Sequence, residues 1–599
     1  MSDTSESSGS VAAVNATEAA RRTGPAWAAP LGLLGVAVLV VGCLLPWATY
    51  AGFPGKMTLG GFPGGARLYP LLLAVAAGVV LVIGLRRPIP GQRVAVRRFA
   101  GTAFIIVVAT MAFIAYGGGG LVNIAATAYV ALVGAVLLVV AGRVLADGPL
   151  LSPARPLGGV VEQAIVVAGI GLLLVVVVEG LRIPTADVTS GRIDVKLGGA
   201  LSLNQLTDEG HFLTFLVFLV GLAMGLARLG FIARFAMMTR RHRPALIAAA
   251  AASAVAFPLT QGGNSYYLRV AASIGVFAAA AIGLNIVVGL AGLLDLGYIA
   301  FFGVGAYVGA IFSGAKSSPF HVSLPYPLVL VLAAAIAGMF GVLLGAPTLR
   351  LRGDYLAIVT LGFGEIFRIT AFNLDGSAGP KVTNGPNGIG GIPNLALGGF
   401  HFGDPHRLFG VDLPYFANYY YLEVVLVAAV MTAFLRMAES RIGRAWVAIR
   451  EDELAASAMG INTTRLKLLA FAMGATLAGA AGSVQAHVSS AVTPDSFTFF
   501  ESALLLAAVI LGGMGTVAGA LLGATVLLLL PEKLRFLQDL RLLVFGIALV
   551  LLMRFRPEGL VPSRRRVREF HDSDSGADAL GTAEGVGEVV AATDPRSRA

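Results

Sequence analysis

Residues 441 to 471 read RIGRAWVAIREDELAASAMGINTTRLKLLAF, a polar stretch between two long apolar runs. Its charged residues are Arg441, Arg444, Arg450, Glu451, Asp452, Glu453, Arg465 and Lys467. A stretch with this charge lies in water, and its excess of arginine and lysine predicts the cytoplasmic side of a membrane by the positive-inside rule. Ala445 to Gly460 contains good helix formers and no proline, so we expect one amphipathic helix there, ended by Gly460.

Apolar residues dominate the rest of the chain. Of its 599 residues, 57% are hydrophobic and only 13% are charged, and the mean hydropathy is +0.82. No soluble domain can bury such a fraction, so the sequence predicts an all-α polytopic membrane protein. The net charge of +10 comes from short arginine clusters between apolar runs, which set topology rather than bind nucleic acid. The single Cys43 excludes an intramolecular disulfide and a cysteine-based metal cluster.

The composition predicts two membrane domains between two tails. Residues 1–24 and 563–599 are polar or rich in small residues and predict disordered tails. The basic step at residues 240–243 precedes a change to Ala/Gly-rich runs, so we place the boundary there, between a six-span accessory domain at 25–243 and a second domain at 244–562. We expect about 14–16 membrane segments in all. The candidate segments are Trp27–Trp47, Leu68–Leu85, Phe99–Tyr116, Leu121–Ala141, Val160–Val178, Phe212–Leu229, Ala245–Thr260, Leu268–Leu290, Leu296–Phe312, Tyr326–Gly345, Tyr355–Ile369, Tyr419–Leu435, Leu468–His487, Ser502–Leu511, Ala518–Leu530 and Leu542–Met553.

Two of these segments, Ser502–Leu511 and Ala518–Leu530, are too short to cross a bilayer comfortably. They are joined at Gly512-Gly513-Met514-Gly515, and we expect a broken or re-entrant pair. This pairing keeps the arginines at 554–566 on the same side as the basic clusters at 86–98, 228–243 and 436–467. All four clusters and both termini are therefore predicted to be cytoplasmic, in a plasma (inner) membrane.

Several strings in the second domain resemble a known family. Glu453-Leu454-Ala455-Ala456 followed by Gly460 resembles the coupling loop of ABC-importer membrane subunits, with Leu454 as an extra residue in the Glu-Ala-Ala pattern. The strings IREDELAASAMGI and LKLLAFAMGATLAGAAG look like the branched-chain amino acid permease family, as do residues 349–370 and 385–393. The alternative is that any polytopic protein needs charged cytoplasmic loops, but the strings are more specific than the charge.

The resemblance implies how such a chain would work. A cytoplasmic ABC ATPase would dock on the coupling loop, and ATP and Mg²⁺ would bind to that partner, with no cofactor in this chain. The family works in pairs, so a second permease subunit is implied, together with an extracytoplasmic solute-binding protein. The implied solute is a branched-chain amino acid, although permeases for urea or short amides look alike over these motifs. The implied coupling residues are Arg444, Glu453, Ala455, Ala456 and Gly460.

A solute path is suggested by two glycine-rich segments and by acids in apolar runs. Glycines at the same kind of spacing in the two halves are typical of broken transporter helices, but also of close helix packing. Asp295 and Glu365 are acids in apolar runs, for which a functional role is the default hypothesis. However, Glu365 and Arg368 are spaced i,i+3 and can neutralise each other. Asp295 and Glu501 lie near segment ends where water reaches. The candidate path residues are Asp295, Gly303, Gly305, Glu365, Gly512, Gly513 and Gly515.

Two other function classes stay open. An ion-coupled secondary transporter would need intramembrane carboxylates at broken helices, and a membrane-embedded enzyme would need convergent His, Asp or Glu side chains. The sequence contains no P-loop: the string nearest to GxxxxGK[ST], Gly309 to Ser317, does not match that pattern. We therefore expect a transport subunit that is not an enzyme.

Overall fold

The computed structural model describes residues 25, 27–47, 65–86, 89–118, 120–146, 158–182, 196–197, 201–261, 265–348, 354–377, 380–408, 411–533, 543, 546–547, 550, 554 and 559–561. The predicted tails at 1–24 and 563–599 and nearly all of the segment Leu542–Met553 lie outside these residues. The described part divides into two compact units, Met1–Phe257 with Lys533–Gln538, and Pro258–Glu532 with Asp539–Ala599.

Helices make up most of the described structure, as predicted. In chain order they are α1 (Ala28–Leu44), α2 (Leu68–Arg86), α3 (Gln92–Gly118), α4 (Ala126–Val144), α5 (Gly159–Arg182), α6 (Leu203–Arg228), α7 (Phe231–Arg241), α8 (Arg243–Thr260), α9 (Ser265–Asn285), α10 (Ile299–Phe312), α11 (Tyr326–Thr348), α12 (Asp354–Asn373), α13 (Tyr415–Glu439), α14 (Arg441–Glu451), α15 (Glu453–Ala458), α16 (Thr463–Ser489), α17 (Phe499–Gly512) and α18 (Val517–Lys533).

Short strands form two-stranded antiparallel pairs. They are β1 (Lys196–Leu197) with β2 (Leu201–Ser202), β4 (Ala396–Leu397) with β5 (Phe400–His401), β6 (His406–Leu408) with β7 (Val411–Leu413), and β3 (Ile389–Gly390) with β8 (Ala491–Val492). The last pair joins the loop after α12 to the end of α16, since Ile389 lies opposite Val492.

The lengths of the helices confirm a polytopic membrane protein. In the described part, eleven helices are long and apolar enough to cross a membrane, or twelve if one bent pair is a single span. That pair is Leu213–Arg228 with Phe231–Arg241, bent by 80°. Arg240 and Arg241, where the sequence analysis placed the domain boundary, are the last residues of a helix, α7. Three shorter apolar helices, α1, α10 and α18, accompany the spans.

In the first unit, α1 packs against α4, and α3 packs against α2, α4 and α6. Small residues allow these contacts, since a Cβ on Gly42 would lie 2.6 Å from the backbone nitrogen of Ala131. The unit divides from its neighbour within α8, after Phe257, while the predicted boundary coincides with the first residue of that helix, Arg243.

The second unit is built around α16. Helices α9, α10 and α11 pack directly on it, and α9 also packs against α13 and α17. The contact surface of α16 is made of small buried residues: Gly474, Ala475, Ala478, Gly479, Ala481 and Gly482. Small side chains let the backbones approach closely, which is how helices associate where no water is available to drive them together.

Candidate functional site

The part of the polar stretch that precedes α16, residues 441–462, is called here the basic loop, and it folds as two helices. The expectation of one helix over Ala445–Gly460 is wrong, because the chain breaks at Asp452 between α14 and α15. The backbone of Asp452 is extended, and its Oδ1 accepts hydrogen bonds from the backbone nitrogens of Leu454 and Ala455 at 2.8 and 3.0 Å. An aspartate that caps a new helix competes with continuation of the previous one, which helix propensities alone do not reveal.

Helix α14 is anchored to the rest of its unit on one face. Gly443, Trp446 and Ile449 are buried, and Nε1 of Trp446 donates a 2.7 Å hydrogen bond to the carbonyl oxygen of Leu466 in α16. Ser440 caps the helix by accepting hydrogen bonds from its first backbone nitrogens. The anchoring makes α14 part of the folded unit and not a loosely attached segment.

The predicted coupling residues occupy different environments. Glu453 forms an ion pair with Lys467 of α16 at 2.6 Å, and the Lys467 side chain is only 8% exposed while that of Glu453 is 37% exposed. Ala456 is buried, with 4% exposure. Its neighbour Ala455 is exposed. The short helix α15 therefore turns Ala456 toward its own chain and leaves Leu454 and Met459 as large apolar side chains in the open.

Gly460 ends the short helix as predicted. Its φ is +82°, and the backbone nitrogens of Gly460 and Ile461 donate to the carbonyl oxygens of Ser457 and Ala456 at 3.0 and 3.1 Å. This pair of bonds is the Schellman motif, in which a left-handed residue closes a helix. A Cβ at this position would meet nothing within 4 Å. The requirement for glycine therefore comes from the backbone conformation and not from crowding.

Arg444 is exposed, and its Nη1 donates a 2.9 Å hydrogen bond to the carbonyl oxygen of Glu439 at the end of α13. Its guanidinium thus satisfies an otherwise free carbonyl at a helix C-terminus.

Arg450 is the arginine of the basic loop that contacts a membrane segment. The sequence analysis identified it only as one charge among several. Its Nη1 donates a 2.7 Å hydrogen bond to the carbonyl oxygen of Gly289. Gly289 lies in a single π-helical turn, Ile286–Leu290, where α9 is interrupted before α10. Gly292 has a φ of +72°, and a Cβ there would lie 2.6 Å from Cγ of Arg450. A glycine at 292 is therefore what leaves room for the arginine.

The interruption after α9 meets the turn between α17 and α18. Nδ2 of Asn285 donates to the carbonyl oxygen of Thr516 at 2.9 Å, and Oδ1 of Asn285 accepts from the backbone nitrogen of Gly515 at 2.8 Å. Gly513 and Gly515 have φ values of +123° and +79°. Irregular backbone inside a membrane protein must find partners in the protein itself, and the Asn285 amide supplies them. The sequence reasoning identified the glycines and missed this asparagine.

Gly303, Gly305 and Gly512 are packing positions. A Cβ on Gly305 would lie 2.1 Å from the carbonyl oxygen of Gly479 in α16, and a Cβ on Gly512 would lie 1.9 Å from that of Gly519. A Cβ on Gly303 would lie 2.4 Å from the ring of Phe367. Of the two interpretations that the sequence left open, close helix packing describes these three glycines.

Asp295 is fully buried, so the expectation that water reaches it is wrong for this chain. Its Oδ1 accepts from the backbone nitrogen of Gly297 at 2.9 Å, and its Oδ2 has no hydrogen-bond partner in the described part of the chain. Burial follows from the packing of the 291–298 loop on α12, where the hydroxyl of Thr360 accepts from the backbone nitrogen of Leu296 at 3.0 Å.

Glu365 pairs with Arg368 at 2.5 Å, as its spacing predicted, and Arg368 also contacts Asp495 at 3.4 Å. A further acid, Glu423 in α13, is buried, and neither carboxyl oxygen has a partner among the described residues. It was missed because it lies near the beginning of an apolar run. Among the described residues, no three His, Cys, Asp or Glu side chains are grouped as metal ligands would be.

Comparison with known proteins matches the second unit. A family model described as branched-chain amino acid transport system / permease component matches residues 266–553. The high-affinity branched-chain amino acid transport system permease protein LivM of Salmonella typhimurium is 40% identical over 326 residues, which cover 52% of this chain and 73% of that protein. LivM of Escherichia coli is 41% identical over 304 residues, or 48% of this chain and 68% of that protein.

A more distant relative, the permease protein BraD of Pseudomonas aeruginosa, is 28% identical over 296 residues, which cover 48% of this chain and 91% of that protein. No solved structure matches the chain. The matched region holds the basic loop, the interrupted helix α9 and the α17–α18 turn, which are the features that the geometry joins. The chain belongs to the branched-chain amino acid transport system permease family, as a multi-pass membrane transport subunit.

Proposed function

We propose that this chain is the membrane subunit of an ATP-driven ABC importer for branched-chain amino acids. A cytoplasmic ATPase docks on the basic loop, and its closure reaches the membrane spans through Arg450. ATP and Mg²⁺ bind to that ATPase, a second permease subunit completes the path, and an extracytoplasmic protein delivers the solute. The relatives carry the branched-chain amino acid assignment in their names.

The observation that carries the proposal is the hydrogen bond from Arg450 to Gly289. Arg450 belongs to α14, a helix of the polar stretch, and Gly289 belongs to the interruption of a span. The same interruption is held through Asn285 to the turn between α17 and α18. A displacement of α14 is thus applied directly to backbone that is not held by a regular helix, which is where a span can change shape at least cost.

The exposed groups of the basic loop suit a docking surface. Leu454 and Met459 are large exposed apolar side chains, and the same loop carries the exposed charges of Arg441 and Arg444. Exposed apolar side chains on a charged surface are typical of a protein contact. Ala455 and the Gly460 turn shape this surface, while the ion pair of Glu453 with Lys467 holds it to α16.

Orientation follows from the same proposal. The basic loop, the clusters at 86–98, 228–243 and 554–566, and both termini are cytoplasmic in the inner membrane. The α12–α13 loop with β4 to β7 then faces the exterior, where a solute-binding protein docks. Residues 25–243, which the family match does not include, serve as an accessory domain in assembly or partner contact.

The test is reconstitution of the full chain in proteoliposomes with the ATPase, second permease and solute-binding protein from neighbouring reading frames. We expect leucine uptake that requires ATP and stops when the ATPase partner carries a disabled P-loop lysine. Uptake at full rate with the disabled ATPase would contradict the proposal. The second candidate, an ion-coupled secondary transporter, is favoured only by the buried acids Asp295 and Glu423, and it predicts uptake driven by an ion gradient without ATP.

A further inference from the structure

A cavity lies inside the second unit at the end of α16 that is remote from the basic loop. Its volume is about 240 Å³. With about 30 Å³ per water molecule, this is room for roughly eight waters or one small solute, and it is somewhat less than the roughly 300–1,000 Å³ of sites for drug-sized ligands. Helices α9, α10, α16 and α17 all contribute to its wall, so it is a feature of the fold and not of one loop.

Aromatic side chains form one part of the wall. Phe277 of α9, Phe302 of α10 and Phe497 before α17 line it, and the ring centroid of Phe302 lies 5.9 Å from that of Phe277 and 6.3 Å from that of Phe497. Rings held against one another at these distances form a firm surface that suits a branched aliphatic group. The aromatic wall disfavours a wholly polar solute such as urea, which has no apolar body to bury.

Two polar side chains interrupt this wall. Glu501, at the beginning of α17, lines the cavity and is partly buried. Gln485 of α16 also lines it. Its Nε2 donates to Ser489 at 2.8 Å, but its buried Oε1 has no partner in the described part of the chain. A carboxylate and an unpartnered carbonyl oxygen are matched by an ammonium group, which has three N–H donors and no acceptor.

The position of the cavity fits a site that receives solute from outside. Helix α16 begins at Thr463, directly after the basic loop, and its 27 residues span about 40 Å at 1.5 Å per residue. Gln485 therefore lies on the opposite side of the membrane from the basic loop. There the cavity is bordered by β8, which pairs with β3 of the α12–α13 loop. A docked solute-binding protein would have short access to it.

We infer that this cavity is the first binding site of the permease for its solute, a zwitterionic amino acid whose ammonium group meets Glu501 and Gln485 and whose branched aliphatic side chain lies against the aromatic wall. The inference rests on the proposed function and adds the site and the recognition chemistry. Such a site selects for a solute with a positive amino group and an apolar body. It selects against anions, because an anion would face the Glu501 carboxylate without a cation between them.

The first experiment measures binding without transport. Ala491 lines the cavity and is exposed, so a cysteine replacing it in the full chain reports access to the site, while native Cys43 is buried. Leucine at about ten times its Kd should slow the reaction of Ala491→Cys with a maleimide about tenfold. 4-Methylpentanoate, which lacks the ammonium group, and urea should not slow it. The matched control Ala396→Cys, on exposed strand β4, should react equally with and without leucine.

Replacing Glu501 tests the recognition group. In the Ala491→Cys background, Glu501→Gln should abolish protection by leucine, and Glu501→Asp should keep part of it. In the reconstituted importer, Glu501→Gln should lower leucine uptake about tenfold relative to ATP hydrolysis, the cost expected when a charge-assisted hydrogen bond is lost. The charge control is Glu439→Gln, at the exposed end of α13 and outside both docking surfaces, which should transport normally.

The outcomes separate the two proposals. Leucine protection without ATP-driven uptake would support the site and contradict the ABC function. ATP-driven uptake without protection at Ala491→Cys, or with undiminished uptake by Glu501→Gln, would overturn the site and leave the function intact. Protection by 4-methylpentanoate equal to that by leucine would show that the cavity binds apolar bodies without reading the ammonium group, which also overturns the inference.

Discussion

Nη1 of Arg450 lies 2.7 Å from the carbonyl oxygen of Gly289, although 161 residues separate the two along the chain. Gly289 is also crowded by the next contact in the series, since a Cβ there would lie 1.9 Å from Oδ1 of Asn285 and 2.6 Å from the backbone nitrogen of Gly515. Arg450 therefore contacts the interrupted span at Gly289, and that span contacts the glycine turn at Gly515. A force on α14 has a continuous chain of contacts to follow into the membrane unit.

The first prediction concerns that arginine. Arg450→Met should remove a charge-assisted hydrogen bond and leave the Gly289 carbonyl without its donor, so solute uptake should fall about tenfold or more relative to ATP hydrolysis by the partner. Arg450→Lys should recover part of the loss, because a lysine can donate one such bond. The control is Arg436→Met, an exposed arginine of α13 outside the basic loop, which should leave the ratio of uptake to hydrolysis unchanged. An unchanged ratio in Arg450→Met would contradict this role.

The second prediction concerns the ion pair between Glu453 and Lys467. Glu453→Gln leaves a nearly buried ammonium without its carboxylate, so we expect the free energy of unfolding to fall by about 1–3 kcal/mol. The matched control, Glu451→Gln, removes an exposed charge from the same loop and should change stability by about 0.5 kcal/mol or less. The double variant Glu453→Gln with Lys467→Met should be more stable than Glu453→Gln alone, since it removes the stranded charge. Thermal unfolding in detergent measures all three, and equal stability of the single and double variants would refute the pair's role.

The third prediction uses the backbone of Gly460. With φ at +82° and nothing within 4 Å of a Cβ, the cost of a side chain is conformational alone. An ordinary residue in this region costs roughly 1–2 kcal/mol, asparagine less and a β-branched residue more. We expect coupled uptake to decrease from the unmodified chain to Gly460→Asn, then to Gly460→Ala and finally to Gly460→Val, with each protein still inserted. Equal uptake by Gly460→Asn and Gly460→Val would show that the turn does not need this conformation.

The fourth prediction separates packing glycines from tolerant ones. Gly305→Ala would place a methyl group 2.1 Å from the carbonyl oxygen of Gly479, so α10 must move from α16, at a cost of about 1–3 kcal/mol. Gly362→Ala on α12 meets nothing within 4 Å and should be neutral or stabilising by up to about 1 kcal/mol. Melting temperatures of the purified chains compare the two. A Gly305→Ala protein as stable as Gly362→Ala would argue against close packing at this crossing.

The fifth prediction tests the proposed orientation. A cysteine replacing exposed Ala458 in the basic loop should resist an impermeant thiol reagent added to intact cells and react once the membrane is permeabilised. Ala396→Cys, on the α12–α13 loop, should react in intact cells. Native Cys43 is buried and contributes little background. Labelling of Ala458→Cys from outside would reverse the topology.

The sequence by itself determined the class of protein and the position of the basic loop. Long apolar runs cannot remain in water, and clustered arginines cannot remain in lipid, so both features follow from local composition. The Gly460 turn and the pairing of Glu365 with Arg368 were also predictable, because each depends only on residues that are close together in the sequence.

The tertiary structure alone decided which residues meet. A membrane span is apolar all round, so its sequence does not show which face lies against another helix. Asp295 was therefore placed near water, although it is buried. The contacts of Arg450 with Gly289 and of Asn285 with Thr516 join residues 161 and 231 positions apart. Such contacts depend on where interrupted backbone needs partners after the helices have packed, and no local pattern of residues carries that information.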